Sequence, residues 1–315
     1  MANILLNLLF SMYIEQLKLK KKDLLLYLPL PVLFFAFMIF NYYSTQGVDT
    51  EALIHNLIDT IGVNVTFVLL VGPLSAMCLG LLFWVKFVHG QSLRSFTTSR
   101  PKVDWKRIFF SFFLWATFLV ATILISYYNN PENYIYNFKP VPFFIFLFLA
   151  IILIPLQTSF EEYFFRGYLM QGIGLATNSR WVPFLFTSIT FGLMHIANPE
   201  VGKMGYIILI YYVGTGFFLG ILTLMDEGLE LALGFHAANN LVGALLLTSD
   251  WSAFQTHSVL KDVAEPSAGF DVILPVFIIF PIILFIFSRK YGWKNWSQKL
   301  FGKLNLPQNI NQVNL

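Results

Sequence analysis

Charge is scarce in this chain. Asp, Glu, Lys and Arg make up 12% of its 315 residues, about half the share of an ordinary soluble domain. No polar stretch is long enough to build a separate soluble unit. Cysteine is nearly absent. Cys78 is alone and lies in an apolar run, which excludes an internal disulfide and marks it as a small core residue. A cleavable leader is not expected, because the first 15 residues hold no Lys or Arg and no small-residue cleavage site follows. The net charge of +3 gives no reason to expect a nucleic-acid partner.

In place of charge there is hydrocarbon. Hydrophobic residues reach 57% and Phe occurs 35 times, and apolar runs of the ~20 residues needed to cross a bilayer recur along the chain. The expectation is an all-α polytopic membrane bundle, a single membrane domain over 1–315. Eight spans are expected, at about 24–43, 66–88, 108–127, 143–163, 181–198, 204–225, 229–248 and 270–288. The stretch 1–23, apolar with a basic end, reads as an interfacial helix, and 289–315 as a basic tail.

Basic residues set orientation. With the N-terminus in the cytoplasm, 17 of the 20 Lys and Arg fall on the cytoplasmic side, and only Lys139, Lys203 and Lys261 fall outside. That split fits an even number of spans with both termini cytoplasmic. Short loops fit a bacterial inner membrane.

Ionisable groups inside spans are costly and are functional candidates. Away from predicted span ends they reduce to Glu161, Glu162, Arg166, His195 and His236, with Asn240 as a polar companion. Glu162 and Arg166 are four apart, on one helical face and in the favourable order for an ion pair. Glu161 points elsewhere, without a partner nearby in sequence, as suits a general base. Phe191 and His195 share a face, as do His236 and Asn240. If ATNSR (176–180) is a turn, Glu161 and His195 are equally far from it and level in an antiparallel hairpin. His236 lies only about 13 Å of helix rise from the acidic turn at Asp226 and Glu227. The turns must therefore sit at different heights, or the fourth and fifth helices must protrude. Small residues around His236 (Gly234, Ala237, Ala238, Gly243) and the Gly216/Gly220 pair suit close helix packing. Trp84, Trp105, Trp181 and Trp293 read as interface anchors.

In order, Glu161-Glu162-x-x-x-Arg166, Phe191-x-x-x-His195 and His236-x-x-x-Asn240 resemble the CPBP family of intramembrane proteases. That family includes the type II CAAX prenyl endopeptidases and bacterial homologues linked to bacteriocin processing and immunity. The motif-bearing core runs over 143–248. The resemblance implies that Glu161 activates a water which His195 helps to hold. It implies that His236 and Asn240 stabilise the oxyanion, with Glu162 and Arg166 as supports. The implied substrate is a membrane-associated peptide or protein, whether CAAX-like, lipidated or bacteriocin-like.

The HExxH spacing of zinc peptidases is absent, and a metal-independent glutamate mechanism that needs no cofactor is favoured. A zinc ion, if used, would fall to Glu161, His195 and His236. Two other classes stay open on the residues themselves. One is a proton- or ion-coupled transporter. The other is a non-catalytic scaffold in which the same groups only join helices.

Overall fold

A computed structural model describes residues 12–17, 25–266 and 269–304. The chain is an integral membrane protein, and among the described residues six helices are long and apolar enough to cross a bilayer. The helices, in order, are α1 (Pro29–Ser44), α2 (Thr50–Ile61), α3 (Val63–Phe87), α4 (Leu93–Thr97), α5 (Trp105–Asn129) and α6 (Pro140–Thr177). After them come α7 (Trp181–Leu193), α8 (Pro199–Met204), α9 (Leu209–Asp226), α10 (Glu230–Leu246), α11 (Val272–Tyr291) and α12 (Trp296–Phe301). The expected eight spans thus resolve into six long helices, ending in α1, α3, α5, α6, α9 and α11, plus the shorter α7 and α10, of 13 and 17 residues.

Local chemistry explains both departures from the expected lengths. Proline pushes the residue before it into extended backbone. Asn198 is at φ −68°, ψ 147°, and Pro199 opens α8, so α7 cannot run on to 198. In the other direction, α6 is a single helix of 38 residues, longer than the ~30 Å hydrocarbon thickness requires. It is not regular. Pro155 lies in its interior, and Tyr163–Leu169 winds as a π-helix immediately after the two glutamates. The expected turn follows it, with Asn178 in the left-handed region at φ 51°.

The bundle is built on α10 against α5 and α6, α3 against α6, and α9 against α7. Two glycines make these contacts possible. A Cβ on Gly234 would lie 2.1 Å from the Ile108 carbonyl oxygen, and one on Gly216 would lie 2.2 Å from that of Ser188. At one end of the bundle, strands of three residues, β1 (Tyr134–Tyr136), β2 (Leu247–Ser249) and β3 (Leu260–Asp262), form a sheet of order β1-β3-β2. β3 is antiparallel to β1 and parallel to β2. Strands this short leave no alternation in the sequence, and the sheet was not expected from it.

The opposite, basic end resolves the difference in turn heights. The α6–α7 turn is exposed at Ala176, Thr177 and Asn178, whereas Asp226, Leu229 and Glu230 of the α9–α10 turn are buried. Asp226 accepts hydrogen bonds from Arg100 (3.0 Å), from Arg107 and from the Trp293 indole (3.2 Å). Glu230 accepts from Arg100 (3.1 Å) and from the Asp104 backbone (3.2 Å). Trp293 therefore holds a buried turn and is not an interface anchor, while Trp105 and Trp181 are exposed as such anchors are. Of the segment expected as an interfacial helix, Ile14–Gln16 forms one 3-10 turn, and Tyr13, Ile14 and Leu17 are buried. The rest of 1–23, and 305–315 of the expected tail, lie outside the described residues.

Candidate active site

The site is assembled at the point where α6 changes winding. Glu161 and Glu162 are the last regular residues before that change, and both side chains are buried. π-helical turns inside α-helices are rare and recur at functional sites. Here the turn carries Arg166, whose Nη1 donates to Glu162 Oε1 at 3.1 Å and whose Nη2 donates to the Gly216 carbonyl at 3.0 Å. The same carbonyl accepts from Ser188 Oγ at 3.1 Å. The missing side chain of Gly216 is what lets α7 approach closely enough for this. The expected Glu162–Arg166 pair is therefore present, and it is anchored to the backbone of α9.

Glu161 does have a partner close in sequence, which corrects the expectation. Gln157, one helical turn earlier, donates its amide N–H to Oε1. Oε2 has no hydrogen-bond partner, and it lies 3.7 Å from His236 Nε2. The other nitrogen of that ring, Nδ1, is 2.7 Å from Glu162 Oε1. His236 thus bridges the two carboxylates. Glu162 is shared between an arginine and a histidine and is not committed to Arg166 alone.

His195 sits just beyond the end of α7, not on a helix. Its Nδ1 lies 2.9 Å from the Phe191 carbonyl. A carbonyl can only accept, so the proton is on Nδ1 and Nε2 is left as an acceptor when the ring is neutral. This bond takes up one of the carbonyls that every helix end leaves over. The ring stacks on Tyr212 of α9, with centroids 4.3 Å apart. Phe191 stands between the two imidazoles, its ring centroid 5.2 Å from His195 and 5.8 Å from His236. His195 therefore joins the group through Phe191 and not by a hydrogen bond to Glu161.

Asn240 joins it through Gln157, its Nδ2 donating to Gln157 Oε1 at 3.2 Å. Glu161, Glu162, Arg166 and His236 form a buried floor. His195 and Asn240 are half-buried at its rim. Several contributors were missed in the sequence: Gln157, Asn239, Trp115, Tyr212 and the Gly216 carbonyl. Gln157 carried a readable signal, since it precedes Glu161 by four, and Asn239 stands beside Asn240. Tyr212 carried none, and Gly216 was legible only as a close-packing glycine, not as the source of an anchoring carbonyl.

Among the described residues, no three His, Cys, Asp or Glu side chains come together as a metal-ligand set. His236 Nδ1 is already engaged with Glu162 and His195 Nδ1 with a carbonyl. Both rings therefore present Nε2, the nitrogen that a metal-bound histidine held in this way would also use, but Glu161, His195 and His236 are not gathered as one ligand set in this arrangement. An apolar groove of about 590 Å³ between α9 and α11, and another of about 490 Å³ along the start of α6, include none of the site residues.

Residues 140–242 match the family described as Type II CAAX prenyl endopeptidase Rce1-like, a family of proteases. They include Glu161, Glu162, Arg166, His195, His236 and Asn240. The chain is also 34% identical over 176 residues to "Uncharacterized protein YyaK" of Bacillus subtilis (strain 168). That alignment covers 56% of this chain and 59% of the relative. No solved structure matches.

Proposed function

We propose, on the premise that residues 140–242 belong to this endopeptidase family, that the protein is an intramembrane endopeptidase using a glutamate-activated water. The observation that carries the reading is Glu161 Oε2. It is buried, has no hydrogen-bond partner, and stands 3.7 Å from His236 Nε2. A polar separation of that size is one that a water can bridge.

The charge count supports a role for His236. Two carboxylates face one guanidinium, and unbalanced buried charge is expensive. The balance closes when His236 carries both ring protons, one donated to Glu162 and one available on Nε2. Glu161 then takes a proton from water as the water oxygen bonds to the peptide carbonyl carbon. The developing oxyanion accepts from His236 Nε2–H and from the free amide hydrogen of Asn240. His195 Nε2 accepts a hydrogen bond that steadies the water. The tetrahedral intermediate collapses by breaking the C–N bond, and Glu161 passes its proton to the leaving nitrogen. A positioned base contributes about 10²–10⁴-fold, and each oxyanion donor about 10²–10³-fold.

In this reading His236 is a proton donor and no metal is needed, so dialysis against a chelator leaves cleavage unchanged. Loss of cleavage restored by Zn²⁺ would replace this reading with a metal mechanism. The substrates are membrane-associated peptides cut near the bilayer surface, of CAAX-like, lipidated or bacteriocin-like type. The protein sits in a bacterial plasma membrane with its basic end cytoplasmic. The test is purified protein in liposomes with fluorescence-quenched peptides, one prenylated at a C-terminal CAAX sequence and others unprenylated and apolar. Wild type cuts at least one, and Glu161→Gln cuts none. No cleavage by wild type, or equal cleavage by the variant, sinks the reading.

A further inference from the structure

Four side chains beside the site are hydrogen-bonded in one direction only. Trp115 Nε1 donates to Asn239 Oδ1 at 3.0 Å, and Asn239 Nδ2 donates to Asn240 Oδ1 at 3.1 Å. Asn240 Nδ2 donates to Gln157 Oε1 at 3.2 Å, and Gln157 Nε2 donates to Glu161 Oε1. The direction is not a free choice. An indole N–H can only donate, so Asn239 must present its oxygen to Trp115 and its nitrogen to Asn240. Each later amide is fixed in turn. An ionised carboxylate, which can only accept, closes the far end. Trp115 and Gln157 are buried, and the Trp115 ring is held by Phe235 at 4.4 Å and Phe118 at 4.9 Å. The start of the chain is therefore rigid, and it lies on α5, a helix that carries none of the site residues expected from sequence.

We infer that Trp115, Asn239 and Gln157 are positioning residues that orient the base and the oxyanion donor together. This rests on the proteolytic reading. Engaging Oε1 of Glu161 leaves Oε2 as the oxygen that faces His236. Fixing the Asn240 amide spends one of its hydrogens on Gln157 and keeps the other, and the nitrogen, toward the site. An Asn240 flipped about its amide would set two acceptor oxygens against each other, Oδ1 against Gln157 Oε1. Aligned donors also polarise one another, so the far end of the chain senses a break anywhere along it.

Two readouts test this with the full chain in lipid nanodiscs. The first is independent of turnover. With ¹⁵N-indole-labelled protein, and Trp115→Phe to assign the signal, the Trp115 indole proton resonates as a hydrogen-bonded donor. It moves upfield in Gln157→Met, three links away, and downfield in Asn239→Asp, which offers a charged acceptor. The second is cleavage of the liposome reporter peptides. Asn239→Asp keeps the bond to Trp115 but cannot donate to Asn240. Trp115→Phe, Asn239→Asp and Gln157→Met each lower kcat about 10–100-fold, as misplacement of reacting groups does, with KM changed less than about twofold. Gln157→Glu falls similarly at pH 8. It recovers toward pH 6, where the introduced carboxyl holds a proton to donate to Oε1. A side chain that only filled space would show no such recovery. Wild-type kcat in Asn239→Asp and Gln157→Met, or a Trp115 signal that ignores both, overturns the proposal and leaves proteolysis standing. A coupled Trp115 signal without any wild-type cleavage overturns the proteolytic reading and not the chain.

Discussion

Asp226 and Glu230, at the recessed turn between α9 and α10, bring four carboxylate oxygens into the protein, and all four are hydrogen-bonded. Glu161 and Glu162 bring in four more, and one oxygen of each has no hydrogen-bond partner. The counter-charges differ in the same way. At the turn two guanidiniums, Arg100 and Arg107, pair with both buried carboxylates, Arg107 also reaching the more exposed Asp104. The site has one guanidinium, Arg166, and an imidazole, His236, in place of the second. Arginine stays charged under all ordinary conditions, so the cations of the turn have no proton to give up. At the site the second partner is an imidazole, which unlike a guanidinium can be either neutral or charged. The two clusters share their components, and what separates the clamp from the candidate site is an incomplete set of partners with an imidazole among them.

The largest expected effect breaks the comparison at the site. Glu161→Gln lowers cleavage about 10²–10⁴-fold, while the unfolding midpoint stays at or above the wild-type value, because an unpartnered buried oxygen has lost its charge. The mirror experiment is Asp226→Asn. It leaves Arg100 and Arg107 short of a counter-charge and costs stability, about 3 kcal/mol, measured by denaturant unfolding in detergent. Its effect on kcat in the fraction still folded is small. Equal stability losses in the two variants would erase the distinction. Next in size is Gly216→Ala, which forces α7 from α9 at the Ser188 carbonyl. It costs about 1–3 kcal/mol and loosens the Arg166 anchor, so stability and turnover fall together.

The smallest effect concerns Glu227, just past α9. Its Oε2 accepts from the Tyr13 backbone at 2.6 Å, and Arg180 and Lys299 lie 3.7 Å and 3.4 Å from Oε1. Burial nevertheless lifts this carboxyl above its ordinary range, against the pull of Arg180 and Lys299. The folded chain therefore holds a proton that the unfolded chain has released. The resulting stability is fully present below the unfolded value, about 4.3, and is lost as pH rises through the raised folded one. Glu227→Gln, which cannot titrate, flattens the pH dependence of the melting temperature over that interval. An unchanged slope would mean that Glu227 is solvated.

The comparison also shows what a sequence discloses. Glu162 and Arg166 were legible because both are charged and their spacing maps directly onto a helix face. The long apolar helices were legible from hydropathy alone. The set Glu161, His195, His236 and Asn240 stood out because little else in the spans is polar. Gln157 was passed over since it is neutral, although it donates to Glu161. Arg100 and Arg107 looked like orientation signals in a loop, because the fold that carries them onto Asp226 involves a contact more than a hundred residues distant in the chain. The early end of α7 was announced by Pro199. The winding change at Tyr163–Leu169 was not announced by any residue, since it arises from how α6 packs.

That winding change has a consequence for how the protein can vary. A wide turn accommodates an extra residue without lengthening the helix in proportion, so side chains on its two sides are offset in angle from what a uniform helix would give. Near its far end Tyr168 reaches His89 at 2.9 Å, and beyond it Gln171 accepts from Gln91 at 2.9 Å. Removing one residue anywhere in 163–169 would relax the turn and rotate that whole lower section away from those neighbours. Replacements there are local events, whereas a single-codon deletion would unscrew the last two turns of α6, which tie the candidate site to the basic end.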